Sequence, residues 1–148
     1  MPLRGTDERG FSMIELMVVV LIIGVLLAIA LPVFLGAQRR ANDGAVKTDV
    51  RNTFLAERVY FADGQTYTQD PAVLETIESA LDYAPGDTPV ASGQIYVHVH
   101  MVTNELFVSG RSRSGTCFYI REIDGDGAEY ATSAGCGVAD VQTYTSNW

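Results

Sequence analysis

Cysteine, histidine and basic residues are scarce in this chain of 148 residues. It has two cysteines, two histidines and 10 Lys or Arg against 18 Asp or Glu, which gives a formal net charge of −8. No CxxC pair and no Cys/His cluster with zinc spacing occurs, so redox and structural-zinc functions are disfavoured. Because an acidic domain repels a phosphate backbone, nucleic acid is not an expected partner.

Sequence motifs of catalysis and of metal binding are also missing. There is no GxSxG around a serine, no P-loop and no GxGxxG, so we predict that the chain is not an enzyme and uses no cofactor. His98 and His100 are spaced to share one face of a strand, but no third metal ligand is identifiable. We therefore interpret them as solvated or aromatic-packed histidines.

One short acidic run resembles the opening of a calcium loop. Glu122, Asp124 and Asp126 alternate before Gly127, as acids do at the start of an EF-hand loop. The twelfth position, where a bidentate Glu is expected, is Ser133 instead. A glycine-rich hairpin turn is therefore favoured, and calcium remains the alternative.

The apolar residues are concentrated near the N-terminus. Leu16 to Ala37 is a run of 22 residues without a formal charge, long enough as a helix to cross a bilayer core of about 30 Å. Charges resume at Arg39 and alternate with apolar positions through Arg58. The pattern predicts one helix from near Phe11 to near Asp63, apolar all round in its first half and amphipathic in its second. The apolar stripe of the second half comprises Val46, Val50, Phe54 and Phe61.

A cleaved secretory signal does not explain this segment. Such a signal has a shorter apolar core that is closed by a small-residue site of the A-x-A type, and neither feature occurs here. A plain single-pass anchor remains an alternative.

Glu15 is the unusual residue of the segment. Burying a carboxylate of an apolar helix in hydrocarbon costs roughly several kcal/mol unless the carboxylate is paired or reaches outward to the membrane surface. If the chain were cut between Gly10 and Phe11, the new α-amino group would lie about one helical turn from Glu15. The two charges could then pair within one chain or between neighbouring chains.

The run from Gly10 to Val19, GFSMIELMVV, resembles the prepilin processing signal of type IV pilins and of the pseudopilins of type II secretion. The resemblance implies that a membrane-embedded prepilin peptidase cuts after Gly10 and methylates the amine of Phe11. It implies that Glu15 pairs with the terminal amine of a neighbouring subunit. Gly24 and Pro32 lie where many pilins carry Gly and Pro, in a stretch that can lose helicity in the filament.

The same resemblance implies the organisation of the chain. Residues 1–10 would be a leader, 11–37 a transmembrane and filament-core helix, and 38–148 an exported domain that includes the amphipathic half of the helix. The protein would cross the inner membrane once with its leader in the cytoplasm, and then join an extracellular homo-oligomeric helical filament. Its partners would be the peptidase and an assembly machinery with a separate ATPase.

Three functions fit this family. A structural subunit of a type IV pilus is the favoured reading; a pseudopilin of a type II secretion system and a minor pilin of the same apparatus are the alternatives. Some major pseudopilins hold calcium in a C-terminal loop, so a firm calcium site would favour the second function.

The remaining sequence predicts an α+β domain similar to the pilin fold, in which a small antiparallel sheet packs on the long helix. Asp70 and Pro71 predict the start of a short helix with Leu74, Ile77 and Leu81 on its inner face. The predicted strands are Gln94–Val102, Glu105–Ser109, Thr116–Ile123 and a short fourth strand after a turn at residues 124–127.

The C-terminal segment contains both cysteines. Because the domain is expected to be exported, we predict an intramolecular disulfide between Cys117 and Cys136, with two buried thiols as the alternative. Tyr144 and Trp148 are interpreted as packing residues or as an exposed tail.

Overall fold

The computed structural model describes residues 10–64, 66–86, 89, 91–123, 127–141 and 143–148. The chain divides into two compact units, Met1–Gln38 and Arg39–Trp148. The first unit contributes the apolar part of helix α1, which extends over Met13–Gly64 and has Pro32 in its interior. The predicted long helix is therefore confirmed, and it ends at Gly64, one residue after the predicted end near Asp63.

The second unit begins with the amphipathic part of α1. The buried residues of this part recur every three or four positions, as a helix face packed on a sheet requires. They are Val46, Val50, Thr53, Phe54, Ala56 and Glu57. The predicted apolar stripe is confirmed, although Phe61 is only partly buried at its end.

Helix α2 (Pro71–Ile77) begins as predicted from Asp70. The carboxylate of Asp70 accepts a hydrogen bond from the backbone N–H of Ala72 at 3.0 Å, and Pro71 occupies the first turn, where its missing N–H is no loss. Leu74 is buried, but Ile77 is 40% exposed. The predicted inner face was wrong at Ile77 because the helix ends there and its buried face does not continue.

Among the described residues, the sheet has five strands in the order β1-β2-β3-β4-β5. Its first pair is parallel and the other three pairs are antiparallel. The strands are β1 (Asp82–Tyr83), β2 (Gln94–His100), β3 (Glu105–Arg111), β4 (Cys117–Ile123) and β5 (Glu129–Ser133).

The predicted end of β2 was wrong by two residues. The strand stops at His100, and Met101 and Val102 lie in the turn with 82% and 89% of their surface exposed. Asn104 closes this turn with a positive φ of 49°, a conformation that asparagine tolerates better than most residues. The inner face of β2 (Ile95, Val97, Val99) joins the core.

The C-terminal segment is fastened to the sheet. Cys117 and Cys136 form the predicted disulfide, with 5.4 Å between their Cα atoms. After a short 3₁₀ helix, η1 (Val138–Asp140), the chain returns to β5, where Thr145 bridges Tyr130. The Trp148 indole N–H donates to the carbonyl of Ala131 at 3.0 Å, so the end of the chain is packed rather than free.

Candidate functional site

The beginning of α1 is built by three consecutive polar contacts around Ser12. The Ser12 hydroxyl accepts a hydrogen bond from the N–H of Ile14 at 3.3 Å, and the Ser12 N–H donates to Oε2 of Glu15 at 3.0 Å. The N–H of Leu16 donates to the carbonyl of Ser12 at 3.2 Å. Together these contacts close the helix start in the manner of a capping box, which satisfies otherwise unpaired N–H groups.

Glu15 therefore has a local role that the sequence analysis missed. The signal was present, because Ser followed three residues later by Glu before an apolar run is the pattern of a capping box. Its carboxylate also lies at the positive end of the helix dipole, which favours a negative charge there. One of its oxygens accepts the Ser12 N–H, and a carboxylate has lone pairs for further donors.

Gly10 and Phe11 lie before the helix and are both exposed to solvent. Phe11 immediately precedes the residue whose N–H contacts Glu15. The backbone nitrogen of Phe11 therefore belongs to the residue directly before Ser12, whose own backbone nitrogen lies 3.0 Å from the Glu15 carboxylate. The predicted cleavage between Gly10 and Phe11 and the methylation of Phe11 remain predictions.

The apolar part of α1 has no buried face within its own unit. Every large hydrophobic residue from Phe11 to Leu35 is between 48% and 82% exposed. This helix is the one described helix that is long and apolar enough to cross a membrane. A helix that is apolar on all sides is stable in lipid or among other apolar helices, and not in water.

Gly24 and Pro32 both lie inside this apolar helix. A side chain added at Gly24 would meet no atom within 4 Å, so nothing within one chain requires glycine there. Pro32 cannot donate a helical hydrogen bond. The expectation that this stretch loses helicity in a filament remains a prediction.

The residues proposed for calcium are only partly described. Asp124 and Asp126 lie outside the described residues. Glu122 is 1% exposed, accepts a hydrogen bond from the hydroxyl of Tyr67 at 2.9 Å, and has Oε1 at 3.7 Å from Nη2 of Arg58. Glu122 therefore faces the interior of the domain, where a carboxylate of an exposed calcium loop would not lie. The calcium hypothesis remains a prediction.

The two histidines have local partners. Nδ1 of His98 is 3.2 Å from the hydroxyl of Tyr96, and Nδ1 of His100 is 3.0 Å from the hydroxyl of Thr103. Within the described part of the chain, no three His, Cys, Asp or Glu side chains are grouped to hold a metal ion.

The N-terminal segment matches a known family. The family described as the prokaryotic N-terminal methylation motif covers residues 6–31. The type IV major pilin protein PilA of Myxococcus xanthus is 42% identical over 61 residues, which are 41% of this chain and 28% of that protein. The type IV wide pilus major component PilA4 of Thermus thermophilus is 36% identical over 68 residues, which are 46% of this chain and 52% of that protein.

A secretion protein is similar over a longer segment. The type II secretion system core protein G of Escherichia coli is 33% identical over 91 residues, 61% of this chain and 60% of that protein. The matched segments thus span about a quarter to three fifths of these relatives. The predicted resemblance to the pilin and pseudopilin superfamily is confirmed.

Proposed function

From the methylation motif and the shared pilin and pseudopilin similarity, we propose that this chain is the structural subunit of a type IV pilus. It is made as a prepilin, held in the inner membrane by α1, and then moved into an extracellular filament. The observation that carries the proposal is the first, apolar part of α1, whose large hydrophobic residues are all exposed, with Glu15 as the single carboxylate in its first turn. The role is structural and not catalytic.

Cleavage between Gly10 and Phe11 would place a new cation beside that carboxylate. The Ser12 nitrogen lies 3.0 Å from Oε2 of Glu15. The amine of Phe11, one residue earlier, could therefore reach the same carboxylate by rotation about a few backbone bonds. In an apolar surrounding an ammonium and a carboxylate attract each other strongly, and neither is stable there alone. The pairing therefore favours subunits that are packed together at one axial register.

The capping contact bears on which amine Glu15 pairs with. Glu15 already accepts the Ser12 N–H of its own chain, which supports the helix start without using all its acceptor positions. The terminal amine of a neighbouring subunit can then occupy a remaining position. Prepilin peptidase and an assembly machinery with a separate ATPase are the partners that this route requires.

A second candidate function is that of a pseudopilin in a type II secretion system. The specific observation in its favour is the similarity to core protein G, which extends over 91 residues. A minor pilin that starts or ends the filament is a third reading. Filaments that are abundant on the cell surface support the first function, whereas a secretion defect without surface filaments supports the second.

Intact-mass and N-terminal peptide mass spectrometry on protein sheared from the cell surface tests the proposal. We expect a chain that begins at Phe11 and carries one additional methyl group. A Gly10→Ala strain should keep the full-length chain in the membrane fraction and release none by shearing. Gly44→Ala is the matched control, because a side chain there meets no atom within 4 Å and the residue lies outside the segment of residues 11–37, so processing and release should be unchanged.

An unprocessed N-terminus on the sheared protein would overturn the prepilin assignment, as would cleavage after Pro32. The first result would support a plain anchor, and the second a secreted domain.

A further inference from the structure

Two buried carboxylates hold the loop of residues 66–70, which connects α1 to α2. Glu57 on α1 is 0% exposed and Glu122 on β4 is 1% exposed. The N–H of Thr68 donates to Oε2 of Glu57 at 3.0 Å, and the hydroxyl of Tyr67 donates to Oε2 of Glu122 at 2.9 Å. We call these four residues the carboxylate clasp.

The two carboxylates have different surroundings. Oε1 of Glu122 has no hydrogen-bond partner among the described residues, but it lies 3.7 Å from the guanidinium of Arg58, which is 52% exposed, so its charge is partly compensated. Oε1 of Glu57 is buried and has no hydrogen-bond partner among the described residues, and no cation of the described chain forms an ion pair with it. A buried carboxylate without a compensating charge is stable only in its protonated form.

The groups around the clasp oppose a second negative charge. They come from α1, the loop, β1, α2 and β4. Burial raises the pKa of both tyrosines in this set, and the neighbouring carboxylates raise it further. The set comprises Arg58, Tyr67, Tyr83, Glu75, Glu78 and Glu122. One guanidinium thus faces several acids and two phenols that stay protonated. The Thr68 N–H favours the ionised form of Glu57, but burial opposes that form more strongly.

We infer that the carboxylate clasp is a proton-controlled latch. Protonated Glu57 keeps the loop closed, and loss of that proton drives the loop open because the carboxylate must then be hydrated. Opening would separate Tyr67 from Phe61, whose rings now stack with centroids 4.6 Å apart. It would also reshape the groove of about 360 Å³ that residues 66–70 form with Val99, Met101 and Asn104.

The expected size of the effect follows from linkage. Burial raises the pKa of the Glu57 carboxyl from 4.5 to about 7 in the closed loop, against the lowering effect of the Thr68 N–H. Because the pKa of this carboxyl is higher in the closed loop than in the open loop, low pH favours the closed loop. This preference is lost as the pH rises from the pKa of the open state to the pKa of the closed state. The population of the open loop should therefore increase about 30-fold between about pH 5.5 and 8.5, and level off above the closed-state pKa.

Chymotrypsin cleavage after Tyr67 reports the opening, because this side chain is 7% exposed in the closed loop. Full-length protein in detergent micelles is digested at several pH values, and mass spectrometry quantifies the cut between Tyr67 and Thr68. Dividing each rate by that of Glu57→Gln at the same pH cancels the pH dependence of the protease. The neutral glutamine imitates the protonated acid, so this variant should remain closed throughout.

We expect the normalised rate of the wild-type chain to rise about 30-fold across this range, and that of Glu129→Gln, an exposed acid on β5 outside the set around the clasp, to rise equally. Equal pH dependence in wild type and Glu57→Gln would overturn the latch. If Glu57→Gln does not fold, ¹³C NMR titration of the Glu57 carboxyl in the wild-type chain decides the question, since a pKa below about 5.5 contradicts a buried, uncompensated group. The outcome is independent of filament formation, so the latch and the proposed function can fail separately.

Discussion

Gly110 lets β3 lie against α1 with no side chain between them. A Cβ atom at this position would lie 2.7 Å from Cγ2 of Val50, 2.8 Å from Cδ1 of Ile95 and 2.8 Å from Cγ1 of Val46. These neighbours are buried and belong to two different elements, so they cannot all move aside. Gly110→Ala should lower the free energy of unfolding by about 1–3 kcal/mol, the usual cost of an overpacked core.

Urea unfolding of the full chain in detergent, followed by the fluorescence of Trp148, measures this change. Gly44→Ala on α1 is the matched control, because a side chain there meets no atom within 4 Å. It should raise the free energy of unfolding by up to about 1 kcal/mol, since alanine favours a helix more than glycine does. Equal effects at the two glycines would contradict the close approach of β3 to the helix.

The charge of Glu15 can be separated from its hydrogen bond to Ser12. Glutamine also serves in a capping box, so Glu15→Gln keeps the helix start but removes the partner of the terminal amine. On the proposed function, we expect normal cleavage at Gly10 and at least about a tenfold loss of sheared filaments, because an uncompensated ammonium in an apolar core costs several kcal/mol. Immunoblots of the sheared and membrane fractions measure both quantities.

Ser12→Ala is the complementary variant. It removes the hydroxyl that accepts the Ile14 N–H at a cost of about 1 kcal/mol, but it leaves the carboxylate in place. Filaments should persist in this strain. If Ser12→Ala removes filaments as completely as Glu15→Gln, helix capping and not charge pairing explains the requirement for Glu15.

At the scale of single residues, the sequence predicts the site at the start of α1 better than the clasp. Glu15 stands out because it interrupts an apolar run. Glu57 stands at the gap in the predicted stripe between Phe54 and Phe61, where an apolar residue would complete the helical spacing. That spacing was the available signal for a buried acid. Its partner Thr68 lies beyond the end of the helix, so helical periodicity alone could not identify the contact.

Among the elements, the segment from β4 to the C-terminus depends most on a covalent link. The disulfide joins residues 19 apart in sequence, and the buried Cys117, Tyr119 and Ala131 form a small cluster around it. The double variant Cys117→Ala, Cys136→Ala should lose on the order of 3 kcal/mol of stability, the loop-closure value for a link of this size. The same fluorescence-detected unfolding measures it.

A matched comparison uses the other attachment of this segment. The hydroxyl of Tyr119 donates to the carbonyls of Gly135 and Gly137, and Tyr119→Phe removes these bonds while keeping the ring. Its loss should be smaller, about 1 kcal/mol. A disulfide-free chain as stable as the Tyr119→Phe chain would show that the cross-link stabilises the domain no more than these hydrogen bonds do, against the loop-closure value.

Predictability differs between elements for physical reasons. The apolar half of α1 is defined by local composition, and α2 by a local capping residue, so both could be predicted. Strand β1 could not, because its two residues pair in parallel with β2 and have no periodicity of their own. The end of β2 was missed because Met101 and Val102 continue the apolar pattern, whereas the backbone turn that excludes them is set by Asn104.

At the scale of the whole molecule, apolar surface and charge occupy different parts of the chain. The large exposed hydrophobics from Phe11 to Leu35 belong to the first unit. The first ten residues contain two acids and two bases, so removing them leaves the formal charge at −8. In the proposed filament, burial of apolar helices therefore favours assembly, while repulsion between the exported parts of neighbouring subunits opposes it.

This balance predicts that the proposed filaments depend on ionic strength. The screening length of salt is about 8 Å near 0.15 M and about 30 Å near 0.01 M, so dilution of salt extends the repulsion across neighbouring subunits. We expect the fraction of purified filament pelleted by ultracentrifugation at neutral pH to fall when the salt is diluted and to recover when salt is restored.

The double variant Asp63→Lys, Glu75→Lys changes two exposed acids to bases, so the formal charge becomes −4 instead of −8. Its filaments should dissociate less on dilution, because each subunit repels its neighbours less. Equal loss of both filaments would show that repulsion between the exported domains does not limit assembly, and that the helix contacts alone determine its stability.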